Sequence, residues 1–476
     1  MSVLRPTELP AAALDAFRAA IGTTYVLTDP SDLAPHLVED RGLFRGNALA
    51  MLRPGSTEEV ARCVAIARAH ALPLVAHGGN TGLVGGGTPH GGLILKLDRL
   101  NRIREIDPVN MTMTVEAGVI LKTVQEKAAE AGCLFPLSLG AEGSCTIGGN
   151  LSTNAGGTAV LRYGNARELA LGLEVVLADG RVLNDLNRLR KNNTGYDLRN
   201  LFIGAEGTLG IITAAVLKLF PLPQQRATAW IGLRSAADGL SLFNRFRANA
   251  GDALTGFEFM YGITLDFVTR NIPGTSSPLA EPHRNYVLAE LTSPDPSADL
   301  NGRMEALLAA AFEDDLVQDA VIAASGAQAD ALWHLRESMS EAQKHEGGSI
   351  KHDVSVPVSA VAAFLDEATA ACEAEMPGIR VAAFGHFGDG NIHFNLSQPI
   401  GADKAAFLAQ WGHFNHIVYA IVAKMGGSIS AEHGIGLIKR DELPLFKDAV
   451  ALDTMRVLKR ALDPENILNP GKIFTL

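Results

Sequence analysis

Apolar positions in the first part of the chain follow two periods, one typical of helices and one of short buried strands. Ser56 and Glu59 have the spacing of a helix-capping box, and the apolar residues after them recur every three to four positions. Asp179 and Gly180 predict the turn of a hairpin. Apolar runs predict strands at residues 72–76, 93–97, 113–117, 173–178 and 209–219. Helix and strand signals therefore alternate through this region.

The pattern changes at residues 221–223, where two prolines flank a leucine. From there to about residue 425, alanine-rich helical segments and strands alternate with little glycine, and the remaining residues regain glycine turns. We predict three segments, 1–222, 223–425 and 426–476, of which the last folds back onto the first. Many short strands and non-local connections favour an α+β class over a parallel doubly wound sheet.

The composition is that of a globular protein with an ample core, since 47% of the 476 residues are hydrophobic and 20% are charged. A net charge of −11 argues against a nucleic-acid partner, because phosphate binding needs a basic face. The four cysteines lack metal-site spacing, which favours a reduced, cytosolic compartment. No secretory signal or bilayer-spanning run is present, so we expect a cytoplasmic protein, with peripheral membrane contact left open.

A glycine-rich loop, HGGNTGLVGGG, occupies residues 77–87 directly after a predicted strand. Consecutive glycines let backbone N–H groups approach an anion closely, so the loop suits a buried pyrophosphate. The chain contains no GxGxxG fingerprint and the loop lacks the GK[ST] of a P-loop. NAD-dependent and ATP-dependent functions are therefore disfavoured, while a flexible surface turn is the alternative for this loop taken alone.

Three further stretches combine glycines with small hydrogen-bonding side chains, at residues 139–144, 148–157 and 204–212. Such stretches are typical of an extended cofactor that is wrapped by backbone. Ile211 and Ile212 fit an ordinary core strand, which is compatible with packing against an adenine.

Two runs near the C-terminal end carry metal-ligand chemistry, GHFGDGNIHFN at residues 385–395 and AEHGIG at residues 431–436. They offer two imidazoles, a carboxylate and a further histidine, which suits a divalent metal with an open position and a base beside it. His386 and His393 are seven residues apart, so a straight strand would point them to opposite faces. Asp389 and Gly390 must therefore bend the chain. For one run alone, a hairpin with ordinary surface histidines is the alternative.

These stretches resemble the FAD-binding domain of the vanillyl-alcohol-oxidase superfamily. From about residue 40 onward the chain is similar to the branch that holds D-2-hydroxyglutarate dehydrogenases, D-lactate dehydrogenases and the glycolate oxidase large subunit. LGAEGSC at residues 139–145, LGLEVVLADG at 171–180 and NTGYDL at 193–198 most resemble D-2-hydroxyglutarate dehydrogenases. The resemblance implies a two-subdomain FAD-binding domain of the p-cresol-methylhydroxylase type, with a ferredoxin-like cap domain over the flavin.

The resemblance also implies non-covalently bound FAD, with His77 a neighbour of the pyrophosphate rather than a covalent attachment point. The positions that match the FAD-binding residues are Gly78, Gly79, Asn80, Thr81, Gly82, Leu83, Gly140, Gly143, Ser144, Gly148, Gly149, Asn150, Thr153, Asn154, Gly156, Glu206, Gly207, Ile211, Ile212 and Asn469.

A divalent metal, zinc or a similar ion, is implied as well. Its ligands match His386, His393 and Glu432, while the catalytic base matches His433. Ser340 stands where the family pattern has threonine, so it keeps the hydroxyl and lacks a methyl group. The positions that match the substrate anchors are Arg336, Ser340, Lys351 and Asn395.

These expectations combine into one predicted reaction, the oxidation of D-2-hydroxyglutarate to 2-oxoglutarate by hydride transfer from C2 to flavin N5. The metal would lower the pKa of the substrate hydroxyl, and His433 would take its proton. Arg336 and Lys351 would supply the positive charge that an acidic protein otherwise lacks, although without the resemblance an exposed helix arginine is the favoured interpretation of Arg336.

Other functions stay open at this point. D-Lactate, D-malate or glycolate could be the substrate of the same fold. A metallohydrolase is disfavoured by the glycine stretches, and a non-catalytic flavin-binding subunit is disfavoured by the intact Glu432-His433 pair. The sequence does not select the electron acceptor, which could be electron-transfer flavoprotein or a quinone, and a homodimer is a further expectation.

Overall fold

The chain forms two compact units in a computed structural model that describes residues 8–39 and 41–476. Unit 1 comprises the described residues up to Gly156, together with Gly164–Leu222 and Glu432–Leu476. Unit 2 comprises Gly157–Tyr163 and Pro223–Ala431. Residues 157–163, which the predicted division assigned to the first segment, thus lie in unit 2. Every helix among the described residues is too short or too polar to cross a lipid bilayer.

The helices of the described residues are, in chain order, α1 (Ala11–Ile21), α2 (Pro30–Leu33), α3 (Thr57–Ala69), α4 (Leu121–Glu130), α5 (Ile147–Ser152), α6 (Val160–Tyr163), α7 (Ala166–Leu169), α8 (Arg199–Phe202), α9 (Ala236–Ala250), α10 (Gly262–Asn271), α11 (Leu300–Glu313), α12 (Gly326–Glu337), α13 (Met339–Lys344), α14 (Val361–Glu375), α15 (Lys404–Leu408), α16 (Trp411–Lys424), α17 (Leu443–Phe446) and α18 (Ala449–Leu462).

The strands are β1 (Val26–Leu27), β2 (Ala50–Leu52), β3 (Leu74–His77), β4 (Leu93–Lys96), β5 (Ile103–Asp107), β6 (Thr112–Glu116), β7 (Cys133–Leu134), β8 (Ala170–Val176), β9 (Val182–Asp185), β10 (Ile211–Lys218), β11 (Phe220–Pro221), β12 (Gln225–Leu233), β13 (Leu254–Tyr261), β14 (Asn285–Ser293), β15 (Asp319–Ile322), β16 (Ser349–Ser355), β17 (Arg380–His386) and β18 (Asn391–Ser397). Each of the five predicted strands is confirmed, with no end shifted by more than three residues.

Unit 1 contains two principal sheets. The first has the order β1-β2-β4-β3, in which β2, β4 and β3 run parallel to one another. The second has the order β5-β6-β10-β8-β9 and is antiparallel throughout. The predicted hairpin turn is confirmed between β8 and β9, where Gly180 has a φ of 85° that suits glycine.

The start of α3 confirms half of the predicted capping box. The hydroxyl of Ser56 accepts from the backbone N–H of Glu59 at 3.2 Å. The carboxylate of Glu59 accepts from the N–H of Gly55 at 2.6 Å, one residue before the position that a complete box requires. Val60, Cys63 and the other apolar positions of this helix then pack into the core of unit 1.

The C-terminal segment returns to unit 1, as predicted. The N–H of Leu74 donates to the carbonyl of Ile467 at 2.8 Å, and the N–H of Asn469 donates to the carbonyl of Leu74 at 2.8 Å. These two bonds attach the segment to β3, the strand that leads into the glycine-rich loop at residues 77–87.

Unit 2 is built on a seven-stranded antiparallel sheet with the order β15-β12-β14-β13-β17-β18-β16. Helices α10, α12 and α13 pack with its strands around buried Trp230, Met260 and Phe384. This α+β organisation, with two parallel-strand pairs confined to one sheet of unit 1, confirms the predicted fold class.

Candidate active site

Three of the four glycine stretches of unit 1, at residues 77–87, 148–157 and 204–212, contribute residues to one cleft. Of the predicted cofactor-binding residues, those in its lining are Gly78, Gly79, Asn80, Thr81, Gly82, Gly148, Gly149, Asn150, Thr153, Glu206, Gly207, Ile211, Ile212 and Asn469. Those outside its lining are Leu83, Gly140, Gly143, Ser144, Asn154 and Gly156.

Two of the residues outside the lining have local roles in the fold. The carbonyl oxygen of the Asn154 side chain accepts from the backbone N–H of Arg167 at 3.0 Å. The hydroxyl of Ser144 donates to the carbonyl of Ala141 at 3.3 Å, within the turn that precedes α5. Both side chains are therefore engaged in shaping the loops beside the cleft.

Close backbone approach explains the consecutive glycines at the start of the loop. A Cβ on Gly78 would lie 2.1 Å from the hydroxyl oxygen of Thr146. A Cβ on Gly79 would lie 2.1 Å from the carbonyl oxygen of Ser144. Real Cβ atoms do not come so close to an oxygen, so the two loops can only meet in this way if both positions are glycine.

Buried polar atoms in the cleft fit a hydrogen-bonding cofactor. His77 Nδ1, Thr146 Oγ1 and Asn150 Nδ2 are buried and have no hydrogen-bond partner among the residues that the structure describes. All three residues line the cleft. Because native proteins seldom leave buried polar groups unpaired, these atoms suit the polar groups of a long ligand such as FAD.

His77 closes the glycine-rich loop. Its Nε2 atom contacts the carbonyl oxygen of Gly87, so the ring joins the first and last residues of the loop. Burial lowers the pKa of His77 to about 4, with Lys96, His36 and Lys472 adding to the effect. The ring is therefore neutral at pH 7, and because Nε2 donates its proton to Gly87, Nδ1 is left as an acceptor.

Glu206 connects the cleft to the turn that follows Glu432 and His433. Its carboxylate oxygens accept from the backbone N–H groups of Ile435 at 2.7 Å and Gly436 at 2.9 Å. Burial raises the pKa of Glu206, against the effect of these two hydrogen bonds. The side chain that was predicted to bind the cofactor thus stabilises a turn of its own unit.

The register of unit 2 brings the predicted substrate and metal residues onto one face of the sheet. Asp353 on β16 lies opposite His393 on β18, and Lys351 lies opposite Asn395. Residues two apart on a strand share a face, and so do directly paired residues on antiparallel neighbours. These four side chains therefore project from the same side of the sheet.

The bend predicted between the two histidines is confirmed as the β17–β18 hairpin. Gly390 in its turn has a φ of 85°. His386 pairs with Asn391, while His393 pairs with Phe384, so the histidines are diagonal neighbours on one face. Their ring centroids are 5.8 Å apart. Asp353 and His393 also offer ligand atoms within 4.8 Å of each other.

His386 and Arg336 share a buried carboxylate that the sequence did not indicate, Glu258 on β13. One Glu258 oxygen accepts from His386 Nδ1 at 2.8 Å, and the other accepts from Arg336 Nε at 2.8 Å and Nη2 at 2.7 Å. Burial alone would raise the pKa of Glu258, but the charges of His386 and Arg336 outweigh it and lower that pKa. Glu258 is therefore ionised and acts only as an acceptor.

The other predicted substrate anchors differ in exposure. Asn395 is buried, and its amide donates to the side-chain oxygen of Gln343 at 3.0 Å, which fixes which way the amide points. Lys351 is partly buried on β16, and Ser340 is exposed on α13. Arg336 is buried rather than exposed, and its guanidinium lies over the ring of Phe384.

Glu432 and His433 begin the part of the chain that returns to unit 1. The Nε2 atom of His433 lies 3.8 Å from a carboxylate oxygen of Glu432, and both side chains are partly exposed. His433 also contributes to the lining of the unit 1 cleft. The predicted base thus lies beside the predicted cofactor site.

Family comparison identifies the cofactor of the protein. Residues 48–185 match the FAD binding domain family, and residues 222–473 match the C-terminal domain of the FAD linked oxidases. The chain belongs to the FAD-linked oxidases. It is an FAD-dependent oxidoreductase, and three of its four glycine stretches lie inside the matched FAD-binding region.

Individual relatives of this FAD-linked oxidase cover nearly its whole length. It is 41% identical to D-2-hydroxyglutarate dehydrogenase of Xanthomonas citri over 460 residues, which are 96% of this chain and 95% of the relative. It is 35% identical to a candidate mitochondrial D-lactate dehydrogenase of Schizosaccharomyces pombe, over 94% of this chain and 85% of the relative. The structure of p-cresol methylhydroxylase with substrate bound has the same fold, with a TM-score of 0.77, 18% identity and coverage of 98% and 96%.

Some residues of the FAD-linked oxidase site escaped the sequence analysis. Thr146 lines the cleft directly after a predicted glycine stretch, so a wider window around residues 139–144 would have included it. Glu258 and Gln343 contact predicted site residues from far along the chain, by 128 residues to His386 and 52 residues to Asn395. No local pattern marks either residue, because only the register of the sheet and the packing of α12 and α13 bring these contacts about.

Proposed function

We propose that the protein oxidises D-2-hydroxyglutarate to 2-oxoglutarate, with a divalent metal as a second cofactor beside FAD. The observation that carries the proposal is the shared face of the unit 2 sheet, where Lys351, Asn395 and His393 project together. An acidic protein with a net charge of −11 here gathers cationic and amide groups, which suit an anionic substrate. The proposed substrate is the one for which the Xanthomonas citri relative, a D-2-hydroxyglutarate dehydrogenase, is named.

The substrate anchors are Arg336, Ser340, Lys351 and Asn395. Arg336 uses two N–H groups on Glu258 and has others to offer to a carboxylate. Lys351 contributes a point charge whose neighbour across the strands is the hydrogen-bonding Asn395. Since the charge of Arg336 is offset by Glu258, Lys351 supplies much of the net attraction for a dicarboxylate.

The proposed metal ligands are His386, His393 and Glu432, and zinc is the proposed ion. Two imidazoles and a carboxylate suit zinc and similar divalent ions. His386 donates its Nδ1 proton to Glu258, the kind of hydrogen bond that orients most metal-binding histidines. A bound divalent ion supplies Lewis acidity, which lowers the pKa of a coordinated hydroxyl group.

His433 is the proposed general base. It takes the proton of the C2 hydroxyl while the C2–H bond breaks, so that the C–O single bond becomes the carbonyl of 2-oxoglutarate. FAD supplies the acceptor for the hydride. Glu206 accepts from two backbone N–H groups of the turn after His433, and this turn fixes the backbone from which the imidazole side chain extends.

D-Lactate is the second candidate substrate, because the chain is also 35% identical to the Schizosaccharomyces pombe relative. D-Malate and glycolate remain alternative substrates that are predicted from the sequence alone. We also propose electron-transfer flavoprotein or a quinone as the electron acceptor, and a homodimer. The proposed location is cytoplasmic, with peripheral membrane contact left open, whereas the Schizosaccharomyces pombe relative is mitochondrial by name.

The test is anaerobic reduction of the bound flavin by a panel of D-2-hydroxyglutarate, D-malate, D-lactate, glycolate and the L-enantiomers. We expect fast bleaching of the flavin band by D-2-hydroxyglutarate and slow or no bleaching by the L-enantiomers. A preference for D-lactate would keep the chemistry and replace the substrate. An oxidised flavin with every member of the panel would contradict the proposed function.

A further inference from the structure

Glu258 is a fully buried carboxylate that contacts two elements at once. Its side chain is 1% exposed, and it lies opposite His386 in the pairing of β13 with β17. One oxygen accepts from His386 Nδ1 at 2.8 Å. The other accepts from both Nε and Nη2 of Arg336, at 2.8 and 2.7 Å. A single side chain thus joins β17 to α12.

We propose that Glu258 is a positioning residue, which orients both the substrate-binding guanidinium of Arg336 and the metal-binding ring of His386. This inference rests on the proposed function, since it assigns a common support to an anchor of the substrate and a ligand of the metal. It predicts that substrate affinity and metal affinity depend on the same carboxylate.

The hydrogen bond to His386 decides which ring nitrogen can bind a metal. A Glu258 oxygen lies 2.8 Å from Nδ1, so in the neutral ring this contact keeps the proton on Nδ1 and leaves Nε2 as the nitrogen that can bind a metal. Carboxylates in this position fix the ring and raise its basicity as a ligand. Glu258 therefore determines how His386 presents Nε2.

The bonds to Arg336 decide the plane of the guanidinium. Two bonds to one oxygen from Nε and Nη2 hold that edge of the group, and the ring of Phe384 lies below it at 4.9 Å. The remaining N–H groups then point in fixed directions, which a carboxylate substrate needs for paired hydrogen bonds.

A neighbouring residue offers a matched control. Glu290 on β14 is also a buried carboxylate, and it accepts from the hydroxyl of Thr228 at 2.9 Å and the indole of Trp333 at 2.7 Å. None of these three residues belongs to the proposed site. Glu290→Gln therefore reports what the replacement of a buried carboxyl group by an amide in unit 2 does by itself.

The experiment compares Glu258→Gln with Glu290→Gln in the FAD-loaded protein. Glutamine replaces one of the two carboxylate oxygens by an NH2 donor, so it cannot accept from Arg336 on one side and from His386 on the other. We expect Glu258→Gln to raise KM for D-2-hydroxyglutarate about tenfold or more. We expect its zinc affinity, measured by competition with a chelator, to fall by about 10- to 100-fold. Both values should stay near wild type in Glu290→Gln, and both variants should retain one FAD per chain.

A second pair of variants covers the case in which Glu258→Gln does not fold, because it leaves the buried charge of Arg336 unpaired. Arg336→Met removes that charge while His386 keeps its acceptor. The double variant Glu258→Leu/Arg336→Met removes the acceptor as well, because a leucine side chain has no polar atom. We expect zinc affinity to stay near wild type in Arg336→Met and to fall by about 10- to 100-fold in the double variant.

Equal zinc affinities in these two variants would overturn the proposed role toward His386. An unchanged KM in a folded Glu258→Gln protein would overturn the role toward Arg336. A wild-type protein that binds no divalent ion would contradict the metal site of the proposed function itself. A wild-type flavin that no hydroxy acid reduces would contradict the proposed reaction.

Discussion

His433 is the side chain whose removal separates proton transfer from binding. It is the proposed base, whereas the predicted FAD contacts lie mainly in the glycine stretches and the proposed metal ligands are His386, His393 and Glu432. We predict that His433→Asn retains FAD and metal and that its flavin is reduced about 10²- to 10⁴-fold more slowly. Stopped-flow reduction under anaerobic conditions measures this rate.

The control for that variant is His416→Asn, which changes an exposed histidine on α16. It should reduce its flavin at the wild-type rate. A His433→Asn protein that matches the control would remove His433 as the base.

His77 makes the stability of unit 1 depend on pH. Its pKa is about 4 in the folded chain against 6.5 for an ordinary histidine, so the unfolded chain binds more protons between these values. Stability is therefore complete above pH 6.5 and is lost as the pH falls. From pH 7.5 to 5 the loss is about 2 kcal/mol.

The variant His77→Gln tests this dependence, because a glutamine amide can donate to Gly87 and does not titrate in this range. We predict that the decrease in Tm between pH 7.5 and 5, measured by calorimetry on the FAD-free protein, is smaller in the variant than in wild type. Parallel pH profiles would show that His77 is not the group responsible.

At the scale of single residues, the sequence indicated side chains whose chemistry is unusual for their surroundings. His386 and His393 could be predicted together because a glycine turn separates them by a short distance along the chain. Glu258 could not be predicted, since its partners His386 and Arg336 are 128 and 78 residues away. An isolated glutamate in an apolar strand has no local pattern that announces such partners.

At the scale of elements, the loop at residues 77–87 depends on how closely it approaches the turn before α5. Gly79→Ala would place a methyl group against the Ser144 carbonyl, so backbone must move. We predict a loss of bound FAD and a decrease in stability of about 1–3 kcal/mol. The ratio of flavin to protein absorbance and the Tm measure the two effects.

Gly412→Ala is the control for this loop variant, because a Cβ at Gly412 meets nothing within 4 Å and its helix lies in unit 2. It should keep its full complement of FAD. Equal FAD content in the two variants would contradict the role assigned to the close approach at Gly79.

Elements with strong local patterns were predictable, and those that depend on distant pairing were not. The five predicted strands of unit 1 are confirmed because each is a short segment rich in apolar residues. The order of strands in the sheets, and the placement of residues 157–163 in unit 2, depend on contacts between distant segments. The turn at residues 140–144 lies outside the lining of the cleft although its composition matches the stretches that line it.

At the scale of the whole molecule, the predicted FAD cleft and two of the three proposed metal ligands belong to different units. The cleft is lined by residues of unit 1, which also contains Glu432, whereas His386 and His393 lie on the sheet of unit 2. We predict that a chelator removes the metal and abolishes flavin reduction by substrate, while the flavin spectrum and FAD content stay largely unchanged. Added Zn²⁺ should restore the reduction. Full reduction rates in protein shown to be metal-free would refute the metal requirement.

We propose that this FAD-dependent oxidoreductase oxidises D-2-hydroxyglutarate, and a single anaerobic turnover measures the product of that reaction. The protein is mixed with excess D-2-hydroxyglutarate without any external electron acceptor, and the 2-oxoglutarate formed is quantified against the FAD reduced. We predict one 2-oxoglutarate for each reduced FAD. A flavin that stays oxidised, or that is reduced without 2-oxoglutarate being formed, would contradict the claim.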